Sequence, residues 1–294
     1  MINKRIFEGV ATALITPFCE NGIDYKLFEQ QLKFQLDSGV DAVCVAGTTG
    51  EAPTLDDSEH IRLIECAVSY CSGKIPVIAG SGSNCTSHAC EMSKKAMEKG
   101  ASALLVVTPY YNKANDEGLL RSYRKIEEAS SLPIILYNVP SRTGVDISDY
   151  VYSQLCNDGL IYASKEASPS IVKFANLCAC YRDKMDFICG NDEMLLPTLS
   201  LGGIGCISVI ANILPKETRQ IYTYYKQGNT EKATEMQLKL MPLISALFSD
   251  INPIPVKAAM AYLGTDSGML RLPLCELCED KKKRLIYELD KIIG

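Results

Sequence analysis

Several residue types and motifs that mark common classes of enzyme are scarce or missing from the sequence. It contains only two histidines, His60 and His88, and both lie in helical patterns. A serine or cysteine nucleophile of this kind needs a neighbouring imidazole base, so two histidines in helical patterns argue against Ser–His or Cys–His catalysis. No cluster of metal ligands occurs, and the isolated CxxC of Cys275 and Cys278 lacks the second pair or the histidines that zinc needs. We expect no metal site.

Nucleotide-binding motifs are missing as well. The stretch Gly80–Cys85 reads GSGSNC and lacks the last glycine of a dinucleotide fingerprint, and no Walker GKS or GKT sequence occurs. We therefore expect no bound cofactor. The net charge of −5 argues against a nucleic-acid or anionic-membrane surface, because such a surface needs clustered Lys and Arg.

Long apolar runs are also absent, which bears on the compartment. No run approaches the roughly 18 apolar residues of a membrane span, and no apolar segment follows the first residues as in a secretory signal. Most of the thirteen cysteines, such as Cys44 and Cys206, lie inside apolar stretches, where a thiol behaves as a small hydrophobe. We expect a reduced cytoplasmic protein without disulfides and with neither membrane nor nucleic-acid partners.

Short apolar runs rich in Val, Ile and Ala alternate with amphipathic stretches along most of the chain. Phe28, Leu32 and Leu36 follow the i, i+4, i+8 spacing of a helix, and Gly39 lies where that helix should end. The apolar runs are continuous rather than alternating, as a parallel strand buried on both faces requires. Eight such runs occur: Gly9–Pro17, Ala42–Gly47, Pro76–Gly80, Ala103–Thr108, Pro133–Asn138, Leu160–Lys165, Met185–Gly190 and Gly205–Ala211.

Eight strand–helix units with short links predict an α/β fold in the form of a closed (β/α)8 TIM barrel, with a doubly wound open sheet as the alternative. The strand-like runs cease at about Gly228, and the remaining sequence has only helical patterns, with a kink at Pro253–Pro255. We expect residues 1–228 to form the catalytic barrel domain and residues 229–294 to form a small C-terminal helical region.

Reactive and polar side chains follow the predicted strands at their carboxyl ends, where the active site of such a barrel lies. A lysine amine there becomes nucleophilic when its site is desolvated, and hydroxyls can carry the protons of an attack on a carbonyl. A guanidinium can bind a carboxylate through two N–H groups. The set predicts Schiff-base chemistry on a small keto acid. Its members are Thr48, Thr49, Tyr111, Tyr137, Arg142 and Lys165.

Each of these residues also has a purely structural interpretation. Thr48 and Glu51 have the spacing of a helix capping box, and Tyr111 is typical of packing or of an interface. Arg142 alone fits a surface ion pair, and Lys165 alone fits a solvated strand end. The functional hypothesis depends on their occurring together at the ends of different strands.

At these residues the sequence resembles the family of pyruvate-dependent class I aldolases that includes dihydrodipicolinate synthase and N-acetylneuraminate lyase. The resemblance covers nearly the whole chain. It is most specific at Gly47–Glu51, Tyr137–Gly144 and Lys165–Ser168, which read GTTGE, YNVPSRTG and KEAS. It implies a (β/α)8 barrel with a helical C-terminal region and a homotetramer built from two tight dimers.

The resemblance also implies catalytic roles. Lys165 would condense with pyruvate, and Thr49 would hold the pyruvate carboxylate. Tyr137, Thr48 and Tyr111 would form a proton relay, with Tyr111 reaching the site from the neighbouring subunit.

The second substrate implied by the resemblance is aspartate 4-semialdehyde, and the product is 4-hydroxy-tetrahydrodipicolinate of lysine and diaminopimelate biosynthesis. Arg142 would bind the carboxylate of the semialdehyde, and Gly190 and Ile207 would line the site through their carbonyls. N-acetylneuraminate lyase or keto-deoxy sugar acid aldolase activity is the alternative. Arg142 favours the synthase, because a long sugar substrate has hydroxyls rather than a second carboxylate to satisfy.

Two further possibilities stay open. Asn84, Tyr110 and His60 match pocket positions of family members that lysine inhibits, but His88 stands where those commonly have a glutamate and Asp57 where they often have a histidine. A missing carboxylate would weaken the binding of a cationic ligand. A catalytically silent keto-acid sensor would have lost the lysine or the relay tyrosine, and this chain retains both.

Overall fold

Eight parallel strands close into a barrel in the structure, a computed structural model in which residues 5–294 are described. Residues 1–4, which begin the predicted barrel domain, lie outside the described residues. The strands are β1 (Gly9–Ala13), β2 (Phe18–Cys19), β3 (Gly22–Ile23), β4 (Ala42–Val45), β5 (Val77–Gly80), β6 (Ala103–Val107), β7 (Ile134–Asn138), β8 (Ile161–Glu166), β9 (Asp186–Cys189) and β10 (Gly205–Ser208). All belong to the barrel except β2 and β3, which pair as a short antiparallel hairpin.

The order of strands around the barrel follows the order of the chain. Each barrel strand pairs in parallel with the next one in the sequence, and β1 closes the ring by pairing with both β10 and β4. Residues at the carboxyl ends of consecutive strands are therefore neighbours in space. The predicted (β/α)8 barrel is confirmed, and the alternative of an open doubly wound sheet is wrong.

Helices connect and cover the strands. Within residues 5–294 they are α1 (Tyr25–Ser38), α2 (Asp57–Cys71), α3 (Thr86–Glu98), α4 (Asp116–Ser130), α5 (Pro140–Thr143), α6 (Asp149–Asp158), α7 (Ile171–Tyr181), α8 (Leu195–Ser200), α9 (Pro215–Lys226), α10 (Thr230–Leu247), α11 (Ile254–Tyr262) and α12 (Glu279–Ile293). Phe28 and Leu32 are buried on α1, and Gly39 ends that helix in the left-handed region, where glycine carries no steric penalty. None of these helices combines the length and the apolar character of a membrane span.

The start of α2 corrects one structural interpretation of the sequence. Its capping box is formed by Asp56, which accepts a hydrogen bond from the Glu59 N–H, and by Glu59, whose carboxylate accepts from the Asp56 N–H. Thr48 and Glu51 therefore do not cap this helix, and the Glu51 side chain is used elsewhere.

The C-terminal helices pack against the barrel helices through one apolar cluster. Leu240 of α10 and Leu285 of α12 are fully buried in it, together with Leu195 of α8 and Ile221 of α9. The chain between α10 and α11 returns to the carboxyl end of the barrel, where Asn252 contacts the loop that follows β4. The division of the chain at residue 228 stays a prediction.

Candidate active site

Lys165 and Tyr137 lie side by side at the carboxyl end of the barrel. They are register partners on the neighbouring strands β8 and β7, and each is only 6% exposed. The Lys165 Nζ lies 4.4 Å from the centroid of the Tyr137 ring. The lysine is thus buried rather than a solvated strand end. An amine withdrawn from water beside a phenol can form an imine with a carbonyl compound while the phenol exchanges protons with it.

The next residue along β8, Glu166, points to the opposite face and keeps the two strand ends in register. Its carboxylate accepts hydrogen bonds from Asn138 Nδ2 at 3.1 and 3.0 Å, from the Tyr152 hydroxyl at 3.2 Å and from the Ser168 N–H at 2.7 Å. Burial, and next the charge of Glu166, raise the pKa of Tyr152, so its hydroxyl stays a donor. Because Asn138 is on β7, this network helps to hold Lys165 beside the tyrosine.

The loop Gly47–Glu51 follows β4 and carries the two predicted threonines. The residue before it, Ala46, has a left-handed φ of +53°, and a Cβ at Gly80 of β5 would lie 2.2 Å from the Ala46 carbonyl oxygen. Only glycine therefore allows this close packing of the loop against β5. Within this loop the side chain of Thr49 is buried, whereas Thr48 lines the cavity at the open end of the barrel.

A cavity of about 480 Å³ opens at this end of the barrel. Thr48, Tyr137 and Arg142 all line it, and it extends along the barrel end to Asn84 and Tyr110. A cavity of this size is typical of a small-molecule site. Three of the predicted site residues, from two separate segments of the chain, thus share one concave surface.

The other predicted site residues are placed differently. Lys165, Thr49, Gly190 and Ile207 lie at the same barrel end but do not line the cavity; Lys165 lies next to it, against the ring of the lining residue Tyr137. The Gly190 N–H donates to the main-chain oxygen of Glu166 at 2.8 Å. Tyr111 has a φ of +69°, and its side chain is 92% exposed. A single chain therefore leaves Tyr111 outside the site.

Asn252 is a site neighbour that the sequence analysis missed. Its Nδ2 donates to Thr49 Oγ1 at 2.9 Å, and its main-chain oxygen accepts from Arg142 Nη2 at 2.9 Å. The Arg142 guanidinium thus binds a main-chain carbonyl at the edge of the cavity, and it forms no ion pair within residues 5–294. No sequence signal points to this asparagine, which lies 203 residues from Thr49.

Lys257 is a second residue of the C-terminal region that the sequence analysis missed. It is fully buried, and its Nζ donates to Glu51 Oε1 at 2.8 Å and to the Thr16 main-chain oxygen at 2.9 Å. Burial lowers the pKa of Lys257, and the neighbouring Glu51 carboxylate opposes that effect. This ion pair anchors the end of the loop Gly47–Glu51.

Asp192 is a further buried carboxylate at this end of the barrel. Its Oδ2 accepts hydrogen bonds from the Val209 N–H at 3.0 Å and the Ile210 N–H at 2.9 Å, while its Oδ1 has no hydrogen-bond partner within residues 5–294. Burial raises the pKa of this carboxyl group.

Across the described part of the chain, no group of three or more His, Cys, Asp or Glu side chains could hold a metal ion.

The far end of the cavity contains both histidines. The His60 ring lies 2.7 Å from the Gly80 main-chain oxygen, and burial lowers the pKa of His60. His88 Nε2 lies 2.9 Å from Asp57 Oδ1, and this hydrogen bond lowers the pKa of Asp57. The carboxylate that a cationic ligand would meet here is thus already engaged by His88.

The barrel is closed, and its buried lysine lies beside a phenol on the neighbouring strand. This is the arrangement of the class I aldolases, which are lyases that work through a Schiff base. The model of the dihydrodipicolinate synthetase family matches residues 6–292. The chain belongs to this family, and the resemblance noted in the sequence is confirmed.

Individual relatives match over almost their whole length. The chain is 48% identical over 281 residues to the 4-hydroxy-tetrahydrodipicolinate synthase of Caldicellulosiruptor saccharolyticus, a match that covers 95% of each chain. A crystal structure of dihydrodipicolinate synthase from Thermotoga maritima matches with a TM-score of 0.95 at 39% identity, covering 98% of this chain and 99% of that one. A monomeric dihydrodipicolinate synthase variant matches with a TM-score of 0.95 at 39% identity, covering 97% of each chain.

Proposed function

We propose that this chain is a 4-hydroxy-tetrahydrodipicolinate synthase, which condenses pyruvate with L-aspartate 4-semialdehyde through a Schiff base in lysine and diaminopimelate biosynthesis. The observation that carries the proposal is the buried Lys165 Nζ at 4.4 Å from the centroid of the Tyr137 ring. The names of the relatives support the same reaction.

The first half of the reaction forms an imine. The Lys165 amine attacks C2 of pyruvate, and the keto oxygen leaves as water after the Tyr137 hydroxyl has delivered a proton to it. Thr48 and Tyr111, the latter from a second copy of the chain, pass protons to and from Tyr137. Thr49 donates its hydroxyl hydrogen to the pyruvate carboxylate.

The second half forms the new carbon–carbon bond. Tyr137 and its relay take a proton from C3, which converts the imine into an enamine. This carbon attacks the aldehyde carbon of the semialdehyde, and the relay returns a proton to the oxygen of the resulting alkoxide. Arg142 binds the carboxylate of that substrate, and the main-chain carbonyls of Gly190 and Ile207 line the site opposite. The substrate amino group then attacks C2, which closes the ring and expels the Lys165 amine.

Turnover with matched substrates tests this proposal. The purified chain is incubated with pyruvate and aspartate 4-semialdehyde, or separately with N-acetylneuraminate, and the products are identified by mass spectrometry. We expect the cyclic condensation product from the first mixture and no cleavage in the second. Cleavage of N-acetylneuraminate without condensation would contradict the proposal and favour a sugar-acid lyase. Pyruvate binding without either reaction would favour a keto-acid sensor.

We also propose a homotetramer of two tight dimers in the cytoplasm. The 92% exposure of Tyr111 supports a partner subunit, because a relay residue exposed in one chain needs a second chain to bring it to a site. Light scattering during size-exclusion chromatography measures the mass of the assembly. The kcat of Tyr111→Phe tests whether Tyr111 takes part in the proton relay. If the protein were fully active as a monomer, the proposal that a partner subunit supplies Tyr111 would be contradicted.

A further inference from the structure

The segment that joins α10 to α11 makes two contacts at the candidate site from one residue. Asn252 is 8% exposed, and its side chain and its main chain serve different partners. The side-chain Nδ2 donates to Thr49 Oγ1, and the main-chain oxygen accepts from Arg142 Nη2, both at 2.9 Å. Under the proposed function, these two partners bind the carboxylates of the two different substrates.

The direction of the hydrogen bond to Thr49 decides what the threonine can do. A hydroxyl has one hydrogen to donate and two lone pairs that accept. Because the Asn252 amide fills one lone pair, the hydrogen of Thr49 is left free for another acceptor. A carboxylate accepts but cannot donate, so it binds only to a threonine whose hydrogen is free.

The main-chain contact sets the position of the guanidinium. The Asn252 oxygen engages one terminal nitrogen of Arg142, which leaves other N–H groups of the same fork for a ligand. The segment is anchored five residues further on, where the fully buried Lys257 binds Glu51 at the end of the loop that carries Thr49. One short stretch of the C-terminal region, Asn252–Lys257, thus contacts both Arg142 and the loop that carries Thr49.

We propose that Asn252 is a positioning residue for both substrates: its side-chain amide directs the Thr49 hydroxyl hydrogen towards the pyruvate carboxylate, and its main-chain carbonyl holds Arg142. This inference rests on the proposed function. It adds a residue outside the barrel strands to the determinants of substrate binding.

Two substitutions separate this role from simple packing. Asn252→Asp keeps the shape of the side chain but replaces the donor by a charged acceptor, which competes for the Thr49 hydrogen and also repels the pyruvate carboxylate. Asn252→Ala removes the donor and leaves a small void. The positioning role predicts that the KM for pyruvate rises at least about tenfold in Asn252→Asp and less in Asn252→Ala, with kcat changed by less than about threefold. A packing role predicts the opposite order, because the void is in the alanine variant.

The comparison of the KM for pyruvate with the KM for the semialdehyde is a second readout. Neither substitution removes the main-chain oxygen that holds Arg142, so in Asn252→Ala the KM for the semialdehyde should stay within about threefold of the wild-type value. In a Thr49→Val background, which has no hydroxyl to orient, Asn252→Asp should raise the KM for pyruvate by a smaller factor than in the wild-type background, because only the repulsion between the two carboxylates remains. Gln35→Glu is the matched control, since this buried amide donates to Ala211 and accepts from Thr12, away from both carboxylate-binding residues. It should leave the KM for pyruvate unchanged.

The outcomes distinguish this inference from the proposed function. Wild-type protein that fails to condense the two substrates overturns the proposed function, and the inference falls with it. Wild-type protein that is active, with an unchanged KM for pyruvate in Asn252→Asp, overturns the inference alone. Equal rises of both KM values in Asn252→Ala, or a tenfold rise in Gln35→Glu, would show that general distortion rather than hydrogen-bond direction is responsible.

Discussion

Replacing Lys257 by methionine tests how the C-terminal region supports the site. Methionine is similar in length and fits an apolar environment, but it leaves the Glu51 carboxylate buried without its cation. Both side chains of the pair are essentially inaccessible to solvent, with exposures of 0% and 1%. Breaking a buried pair by removing one partner costs about 3–5 kcal/mol. For a chain of this size we expect the thermal midpoint to fall by about 5–8 °C.

The double variant gives a sharper test of the buried ion pair. Lys257→Met combined with Glu51→Gln leaves neither charge buried, and the glutamine oxygen can still accept from the Arg271 N–H that Glu51 Oε2 binds now. We expect this variant to recover at least half of the lost stability, because replacing both members of a buried pair is often close to neutral. Lys281→Met is the control, since its pair with Asp250 lies at the surface, where solvent screens it, and its loss should leave the thermal midpoint nearly unchanged.

Differential scanning fluorimetry at a fixed scan rate compares these variants, and the KM for pyruvate of each is measured in parallel. If Lys257→Met melted at the wild-type temperature, the buried pair would not stabilise the loop as described. If the double variant were no more stable than the single one, the loss would come from the lysine contacts with Thr16 rather than from a stranded charge.

Three other changes have expected outcomes. Tyr137→Phe should lower kcat by about 10²–10⁴ with the imine still formed slowly, measured as single-turnover rates; a wild-type kcat would exclude the phenol as proton carrier. Arg142→Lys should raise the KM for the semialdehyde at least about tenfold and leave that for pyruvate near its wild-type value, because lysine lacks the planar fork; equal effects on both would contradict the assignment. Asp192→Asn should raise the thermal midpoint more at pH 8 than at pH 5. Burial raises the pKa of this carboxyl in the folded chain, so wild-type stability is lost as pH rises from the unfolded pKa through the folded one, and the asparagine variant escapes that loss. A pH-independent difference would contradict this account.

The parts of the fold and site that could be predicted from sequence are those that depend on neighbours in the chain. Lys165 and Tyr137 end consecutive strands, and consecutive strands of a (β/α)8 barrel are adjacent, so their contact follows from strand order. The positions of the eight barrel strands were also predictable, because strands buried on both faces are continuously apolar. Their ends were not, since the predicted runs Gly9–Pro17 and Gly205–Ala211 extend four and three residues past the observed strands.

The features that could not be predicted depend on contacts between residues far apart in the sequence, or on residue types that belong to no recognisable motif. Asn252 and Lys257 contact the loop after β4 across more than two hundred residues, and neither belongs to a recognisable motif. Glu51 has the spacing of a helix cap, but its buried carboxylate finds a stronger partner in a lysine ammonium than in a main-chain N–H. Tyr111 cannot be placed from one chain, because its side chain is exposed there.

The most direct test of the central claim is covalent trapping at Lys165. The protein is incubated with pyruvate, reduced with borohydride, digested and mapped by mass spectrometry, with Lys165→Met as the control. The account predicts one reduced pyruvyl group, located on Lys165 in the wild-type protein and absent from the variant. A modification on the other buried lysine, Lys257, or no modification in an active preparation, would contradict it.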